Sequence, residues 1–74
     1  MKLPPVKSKD LLKALMKAGF KVSRKSGSHF RLVHPDGRKM IVAVHSGREV
    51  ARGTLKAILR QSEISKEELL RFLK

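Results

Sequence analysis

Apolar side chains recur at helical spacing in the first quarter of the chain. Leucine, methionine and alanine follow this spacing from residue 11 to residue 18, and Gly19 ends the run. Ser8 is a residue type that caps helix N-termini, and the carboxylate of Asp10 suits the positive end of a first turn. The pattern predicts a first helix over residues 9–18 with Ser8 as its N-cap.

A period of two replaces the helical period after Gly19 and predicts three strands. In the first, Phe20, Val22 and Arg24 share one face, and the run ends at the Gly27 turn. The second and third runs, residues 29–33 and 38–44, are joined by the turn-forming residues 34–37. Their apolar positions, on the face expected to line the core, are Phe30, Leu32, Met40, Val42 and Val44. We expect an antiparallel meander whose first strand lies at an edge.

Helical spacing returns in the last third of the chain. Leu55, Ile58 and Leu59 predict a second helix over residues 51–61, starting near Val50 or Thr54. Ser65 and Glu68 have capping-box spacing and open a short third helix. The order α-β-β-β-α-α predicts an α+β fold, with helices packed on one face of a three-stranded antiparallel sheet, as in double-stranded-RNA-binding domains.

Composition limits the classes of protein that remain. At 74 residues the chain makes one domain, 1–74, with a small core and no room for a large internal active site. The sequence has no cysteine, which excludes disulfides and zinc–thiolate sites. No signal-peptide or membrane-spanning run is present, so we expect a cytoplasmic protein with no membrane partner.

The formal net charge of +12 points to a polyanionic partner. Ten of the basic residues fall between Lys21 and Arg60, where only Asp36 and Glu49 are acidic. Three of the remaining acids lie together near the C-terminus. The middle of the chain is therefore the expected contact surface for nucleic acid.

Ser26-Gly27-Ser28-His29-Phe30 places a histidine at the end of a glycine turn inside this basic region. RNA carries its own nucleophile, the 2′-hydroxyl, so cleavage without a metal needs a base, positive charge at the phosphorane and a proton for the leaving oxygen. Histidine is the side chain best suited to hold either protonation state near neutrality. His29 is the candidate general base. The candidate RNA- and phosphate-binding residues are Arg24, Lys25, Gly27, Ser28, Arg31, His45, Lys56 and Arg60.

The chain resembles the HicA (YcfA-like) mRNA interferase toxins of type II toxin–antitoxin systems, from Pro5 nearly to Lys74. The resemblance rests on short motifs in a fixed order: Gly19-Phe20, Ser26-Gly27-Ser28-His29, His34-Pro35-Asp36-Gly37, Val44-His45 and the run from Gly53 to Gln61. The chain departs from the family pattern at Phe30, where many relatives have a second histidine, at Ala43, where they have proline, and at Ser62-Glu63, where they have Ala-Gly.

The resemblance implies an endoribonuclease that cleaves mRNA, with a double-stranded-RNA-binding-domain-like fold and His29 as its catalytic residue, and the chemistry above predicts cleavage without a metal. It also implies a HicB-type antitoxin that covers the active surface. No cofactor is implied. Since the chain has three Phe and neither Tyr nor Trp, few side chains can stack on bases, and we expect weak sequence preference.

Other interpretations of these residues stay open. His34, in a turn before Pro35, suits a structural role, and His45 suits an acid or a phosphate ligand. The histidine spacing does not favour a metal site. Lys56 and Arg60 share a helix face that could contact RNA, contact an acidic antitoxin or be ordinary solvent-exposed surface. The alternatives to a nuclease are a non-catalytic RNA-binding module of the double-stranded-RNA-binding type and a basic DNA-binding or adaptor protein.

Overall fold

The computed structural model describes residues 3–73, and its elements follow the predicted order α-β-β-β-α-α. Positions 1–2 and 74 of the predicted domain lie outside the described residues. The elements are α1 (Ser8–Lys17), β1 (Lys21–Ser26), β2 (His29–Val33), β3 (Lys39–Ala43), α2 (Arg52–Ser62) and α3 (Lys66–Phe72). The α+β fold class is confirmed. Within the described residues the longest helix has 11 residues, far fewer than the ~20 apolar residues of a bilayer span.

The three strands form one antiparallel sheet in the order β1-β2-β3, so β1 lies at an edge as predicted. Alternation gives the sheet two different faces. Leu32, Met40 and Val42 are buried against the helices, and the core also takes in Leu11, Leu15, Leu55, Ile58 and Leu69. We call the opposite, solvent-exposed side the open face. Its residues are the exposed Lys21, Arg24, Ser26, His29, Arg31, Lys39, Ile41 and Ala43 and the half-buried Val33.

The start of α1 differs from the prediction. Lys7 is the N-cap, and Ser8 is the first helical residue and only 4% exposed. The Ser8 hydroxyl donates to the His45 carbonyl at 2.9 Å and accepts from the His45 N–H at 3.0 Å. The predicted N-cap role of Ser8 is wrong because its hydroxyl satisfies the backbone of the loop after β3 instead of the helix end. Ser8 thereby fixes that loop against α1.

The other end of the sheet is held by His34. Its Nε2 lies 3.2 Å from the Ala18 carbonyl oxygen, its Nδ1 accepts the Asp36 N–H at 3.2 Å, and its ring packs edge-on against Phe20 at 5.1 Å. Gly19 has φ +107°, and a Cβ there would lie 2.7 Å from His34 Nε2. Glycine is therefore needed for both backbone conformation and space. These contacts give His34 a structural role.

Arg38 connects the β2–β3 turn to the end of α2. Its Nε donates to Asp36 Oδ2 at 2.8 Å, its guanidinium donates to the Ser62 carbonyl, and it lies over the Phe20 ring at 5.3 Å. A cation at the last carbonyls of a helix also complements the helix dipole. The hydrogen bond from the Arg38 N–H holds the pKa of Asp36 below its ordinary value. This turn is therefore structural.

The C-terminal helices follow the sequence signals closely. Ala51, rather than Val50 or Thr54, is the N-cap of α2 and makes no side-chain capping bond. The predicted capping box of α3 is confirmed: Glu68 N–H donates to Ser65 Oγ at 3.1 Å, and Ser65 N–H donates to Glu68 Oε1 at 3.2 Å. This second bond is the main cause of the lowered pKa of Glu68.

Candidate nucleic-acid interface

A two-residue turn, Gly27-Ser28, carries the candidate catalytic histidine. Ser26 and His29 face each other across it as a cross-strand pair, and Gly27 adopts φ +57°. A positive φ at only the first of the two turn positions is typical of a type II′ turn, which fits the twist of a hairpin. His29 is therefore the first residue of β2, exposed on the open face. Its position comes from the hairpin rather than from a flexible loop.

The turn itself is open to an approaching ligand. Gly27 is exposed, and apart from its own atoms and those of Ser26 and Ser28 no heavy atom lies within 4 Å of where its Cβ would be. Ser28 is half-buried, and its carbonyl accepts the Val44 N–H at 2.8 Å. The backbone beside His29 is thus anchored on the β3 side and unobstructed at the tip, as close contact with phosphate requires.

A β-bulge decides which basic residue of β1 shares the face of His29. Val22 pairs with Leu32, but Arg24 pairs with Arg31, so Ser23 is an extra residue in the ladder. The extra residue moves Arg24 to the open face and Lys25 to the other. The prediction that Arg24 shares a face with Val22 is wrong for this reason.

Contacts of the two side chains agree with this register. Lys25 pairs with Phe30, and its Nζ lies 5.2 Å from the centre of the Phe30 ring. Arg24 is exposed beside the exposed Arg31, which lies two residues beyond His29 on β2. The open face therefore places Arg24 and Arg31 beside the imidazole, whereas Lys25 rests on an aromatic ring of the other face.

His45 reaches the same end of the sheet as His29. Ala43 pairs with His29, and the Val44–Ser28 hydrogen bond extends this ladder to the residue before His45. His45 is exposed and held through its backbone by Ser8. His34 instead lies five residues along β2 from His29, roughly 16 Å at strand rise. The fold brings together two histidines and keeps the third apart.

Lys56 and Arg60 lie on the side of the molecule opposite His29. Both are exposed on α2, the helix that packs its apolar residues on the buried face of the sheet. Lys56 lines a separate cleft of about 330 Å³, together with the residues before α1. The sheet thus separates these two cations from Arg24 and Arg31.

Three residues near the candidate site were not predicted as functional. Lys39 and Ile41 lie on the open face, and Gln61, at the end of α2, lines a shallow depression with them and Arg31. The alternation of the third strand already placed Lys39 and Ile41 opposite the core, and an isoleucine facing solvent was the available signal. The position of Gln61 depends on how α2 packs, which no local pattern gives.

Within residues 3–73 no cluster of three or more histidine or acidic side chains is arranged to hold a metal ion. Asp36, in the β2–β3 turn, forms an ion pair with Arg38, and no acidic side chain of residues 3–73 pairs with Arg24, Arg31 or Lys39. The basic side chains of the open face therefore have no carboxylate partner there. Such a surface suits a phosphate-bearing ligand.

Most of the chain matches the model of a known protein family. The model of the family described as "HicA toxin of bacterial toxin-antitoxin" matches residues 8–64, which is more than half of the chain and spans α1, the whole sheet and α2. None of the curated proteins compared with the chain matches it.

Proposed function

Because the chain belongs to the HicA toxin family, we propose that it is a toxin endoribonuclease that cleaves mRNA, with His29 as general base. The family implies an RNA target and an antitoxin partner. The observation that carries the finer proposal is the open face, where an exposed imidazole lies beside two arginines that have no carboxylate partner among residues 3–73.

The proposed reaction uses the 2′-hydroxyl of RNA as nucleophile. His29 accepts the 2′-hydroxyl proton as the 2′-oxygen attacks the neighbouring phosphorus, and a proton is delivered to the departing 5′-oxygen. The new bond joins the 2′-oxygen to phosphorus and the broken bond is that between phosphorus and the 5′-oxygen. The products are a 2′,3′-cyclic phosphate and a 5′-hydroxyl.

Arg24 and Arg31 are the residues proposed to stabilise the negative charge that builds on the phosphorane. They share a face with His29, and a positively charged donor aimed at developing charge is a large contribution to catalysis. The backbone at Gly27 and Ser28 and the His45 side chain provide further phosphate contacts at the same end of the sheet. Lys25 is assigned a supporting role, because it rests on Phe30.

The proposed antitoxin is of the HicB type and covers the open face. Lys56 and Arg60 lie behind the sheet from His29. An RNA strand lying on the open face would not contact them directly. If these two residues bind a partner, we expect that partner to be an acidic protein surface rather than the strand being cut.

Substrate chemistry tests the proposal. Purified protein should cut an RNA oligonucleotide in excess EDTA, and it should bind but not cut the same sequence with 2′-O-methyl groups, because the nucleophile is then blocked. End analysis of the products should give cyclic phosphate. Cleavage of the methylated strand would exclude the 2′-hydroxyl mechanism, and activity that is lost in EDTA and restored by Mg²⁺ would indicate a metal nuclease. Binding of both strands without cleavage of either would favour the alternative function, a non-catalytic RNA-binding module.

A further inference from the structure

A shallow depression of about 460 Å³ lies at the β3 edge of the sheet, where the end of α2 meets the strand. It is lined by Arg31, Lys39, Met40, Ile41 and Gln61. Ile41 is 63% exposed, more than any other large apolar side chain among residues 3–73. A single exposed isoleucine needs no explanation by itself. The side chains around Ile41, however, make a ligand site plausible in chemical terms.

Two cations and one amide surround Ile41. Arg31 is its direct cross-strand partner, and Lys39 lies two residues before it on the same face. Neither cation forms an ion pair within the described residues. The Gln61 amide offers both donors and an acceptor. An apolar surface, an amide and two cations complement the three parts of a nucleotide: the face of the base, its polar edge and its phosphate.

The depression is continuous with the candidate catalytic site. Arg31 contributes to both, and it lies two residues from His29 on the same face of β2, roughly 7 Å along the strand. A strand of RNA with one phosphate beside His29 and the next phosphate at Arg31 would lie over Ile41, the cross-strand partner of Arg31. An acidic peptide would satisfy the cations, but this continuity favours RNA.

We propose that Arg31, Lys39, Ile41 and Gln61 form a subsite for one nucleobase of the RNA strand, next to the phosphate that is cleaved. Ile41 lies against the face of the base, Gln61 hydrogen-bonds its edge, and Arg31 and Lys39 bind the flanking phosphates. This inference rests on the proposed function, and it makes Gln61 a specificity-determining residue.

The subsite changes the expectation of weak sequence preference. That expectation came from the scarcity of aromatic side chains, and Phe20 is indeed buried while Phe30 and Phe72 are half-buried. Recognition through an amide does not need stacking. A pair of hydrogen bonds to a base edge discriminates by about tenfold or more.

The test measures binding with strands that cannot be cut. Dissociation constants of 2′-O-methyl homopolymers of adenosine, cytidine and uridine, each of 12 nucleotides, are measured by fluorescence anisotropy for the parent, Gln61→Ala and Thr54→Ala. Thr54 is an exposed residue of the same helix outside the depression and serves as control. Circular dichroism confirms that each variant is folded.

We expect the parent to bind one homopolymer at least about tenfold more tightly than the weakest, and Thr54→Ala to keep that ratio. Gln61→Ala should bring the three constants within about threefold. A second variant, Ile41→Thr, should weaken all three several-fold. Equal binding by the parent, an unchanged ratio in Gln61→Ala or unchanged affinity in Ile41→Thr would overturn the subsite.

These outcomes are independent of catalysis, because the methylated strands report binding alone. Base preference that disappears in Gln61→Ala, in a protein that cuts no RNA, would retain the subsite and reject the nuclease. Cleavage that depends on His29, together with base preference that is unchanged in Gln61→Ala, would retain the nuclease and reject the subsite.

Discussion

Ser23 has no proposed chemical role, yet its extra position in β1 determines which cation faces the imidazole. Without the bulge, strand alternation would put Lys25 beside His29 and Arg24 on the other face. The difference matters because arginine can bind phosphate through two parallel hydrogen bonds, whereas lysine acts as a point charge.

Charge reversal at Arg24 and at Lys25 separates the effect of a side chain's position on the open face from the effect of net charge. Arg24→Glu should lower kcat/KM for RNA cleavage by about tenfold or more, since it removes a phosphate contact and places a carboxylate near the phosphorane. Lys25→Glu causes the same change in net charge, and we expect a loss below about threefold. Both are measured on one RNA oligonucleotide at the same ionic strength. Equal losses would mean that only long-range attraction matters; a larger loss in Lys25→Glu would reject the assigned register.

Sequence patterns predicted the turn that presents His29 and the basic character of its surroundings. They could not assign Arg24 and Lys25 to faces, because a bulge inserts one residue without any change in composition. They likewise missed Gln61, whose neighbours come from a different strand. Local structure was therefore predictable, and the grouping of side chains across elements was not.

At the scale of elements, the loop after β3 depends on a hydroxyl from α1. Both polar groups of the His45 backbone bond to Ser8, which is nearly buried. Ser8→Ala leaves the His45 N–H without its partner, whereas the His45 carbonyl still accepts the Arg48 N–H. Losing hydrogen bonds of this kind costs about 0.5–1.5 kcal/mol. We expect that loss in the free energy of unfolding from urea titration. Ser46→Ala, in the same loop but exposed, is the control and should stay within about 0.5 kcal/mol. A loss no greater in Ser8→Ala than in Ser46→Ala would contradict the bridging role.

The end of α2 contains a glutamate in a backbone conformation that favours glycine. Glu63 has φ +57°, and it is the one non-glycine residue with positive φ among residues 3–73. The left-handed conformation costs a residue with a Cβ about 1 kcal/mol, and glycine is the usual residue at such helix ends. The Ile64 N–H also donates a hydrogen bond back to the Leu59 carbonyl, as in the Schellman motif that commonly ends a helix.

Glu63→Gly should therefore raise the free energy of unfolding by about 0.5–1 kcal/mol, because it relieves the backbone without removing a buried contact. Glu63→Ala loses the same carboxylate and keeps the Cβ, so we expect little change. Urea titration of the parent and of both variants gives the free energies of unfolding to be compared. A gain in the alanine variant equal to that in the glycine variant would assign the effect to charge rather than to conformation.

The two predicted helix caps, at Ser65 and at Ser8, show which hydrogen bonds can be predicted from local sequence. The capping box of Ser65 and Glu68 was predictable because both partners lie within one turn. The Ser8 cap was wrong because a residue 37 positions away, His45, competes for its hydroxyl. Short-range hydrogen bonds follow from sequence, whereas long-range competition appears only in the folded chain.

At the scale of the molecule, the sheet divides the positive charge between two sides. The open face carries His29, Arg24, Arg31 and Lys39, and the helical side carries Lys56 and Arg60. The net charge of +12 attracts RNA to the whole surface. The open face combines that attraction with the imidazole of His29 at a two-residue hairpin turn, so binding and cleavage should be separable.

The most direct test of this division is the cleavage rate of His29→Ala. Parent and variant, purified in parallel, are compared in EDTA on one RNA oligonucleotide under single-turnover conditions, and their affinities are compared on its 2′-O-methyl form. We predict a rate lower by about 10²–10⁴ in the variant, the usual contribution of a positioned acid–base group, with affinity within about twofold. Cleavage by the variant at the parent's rate would contradict the assignment of His29 as the catalytic base.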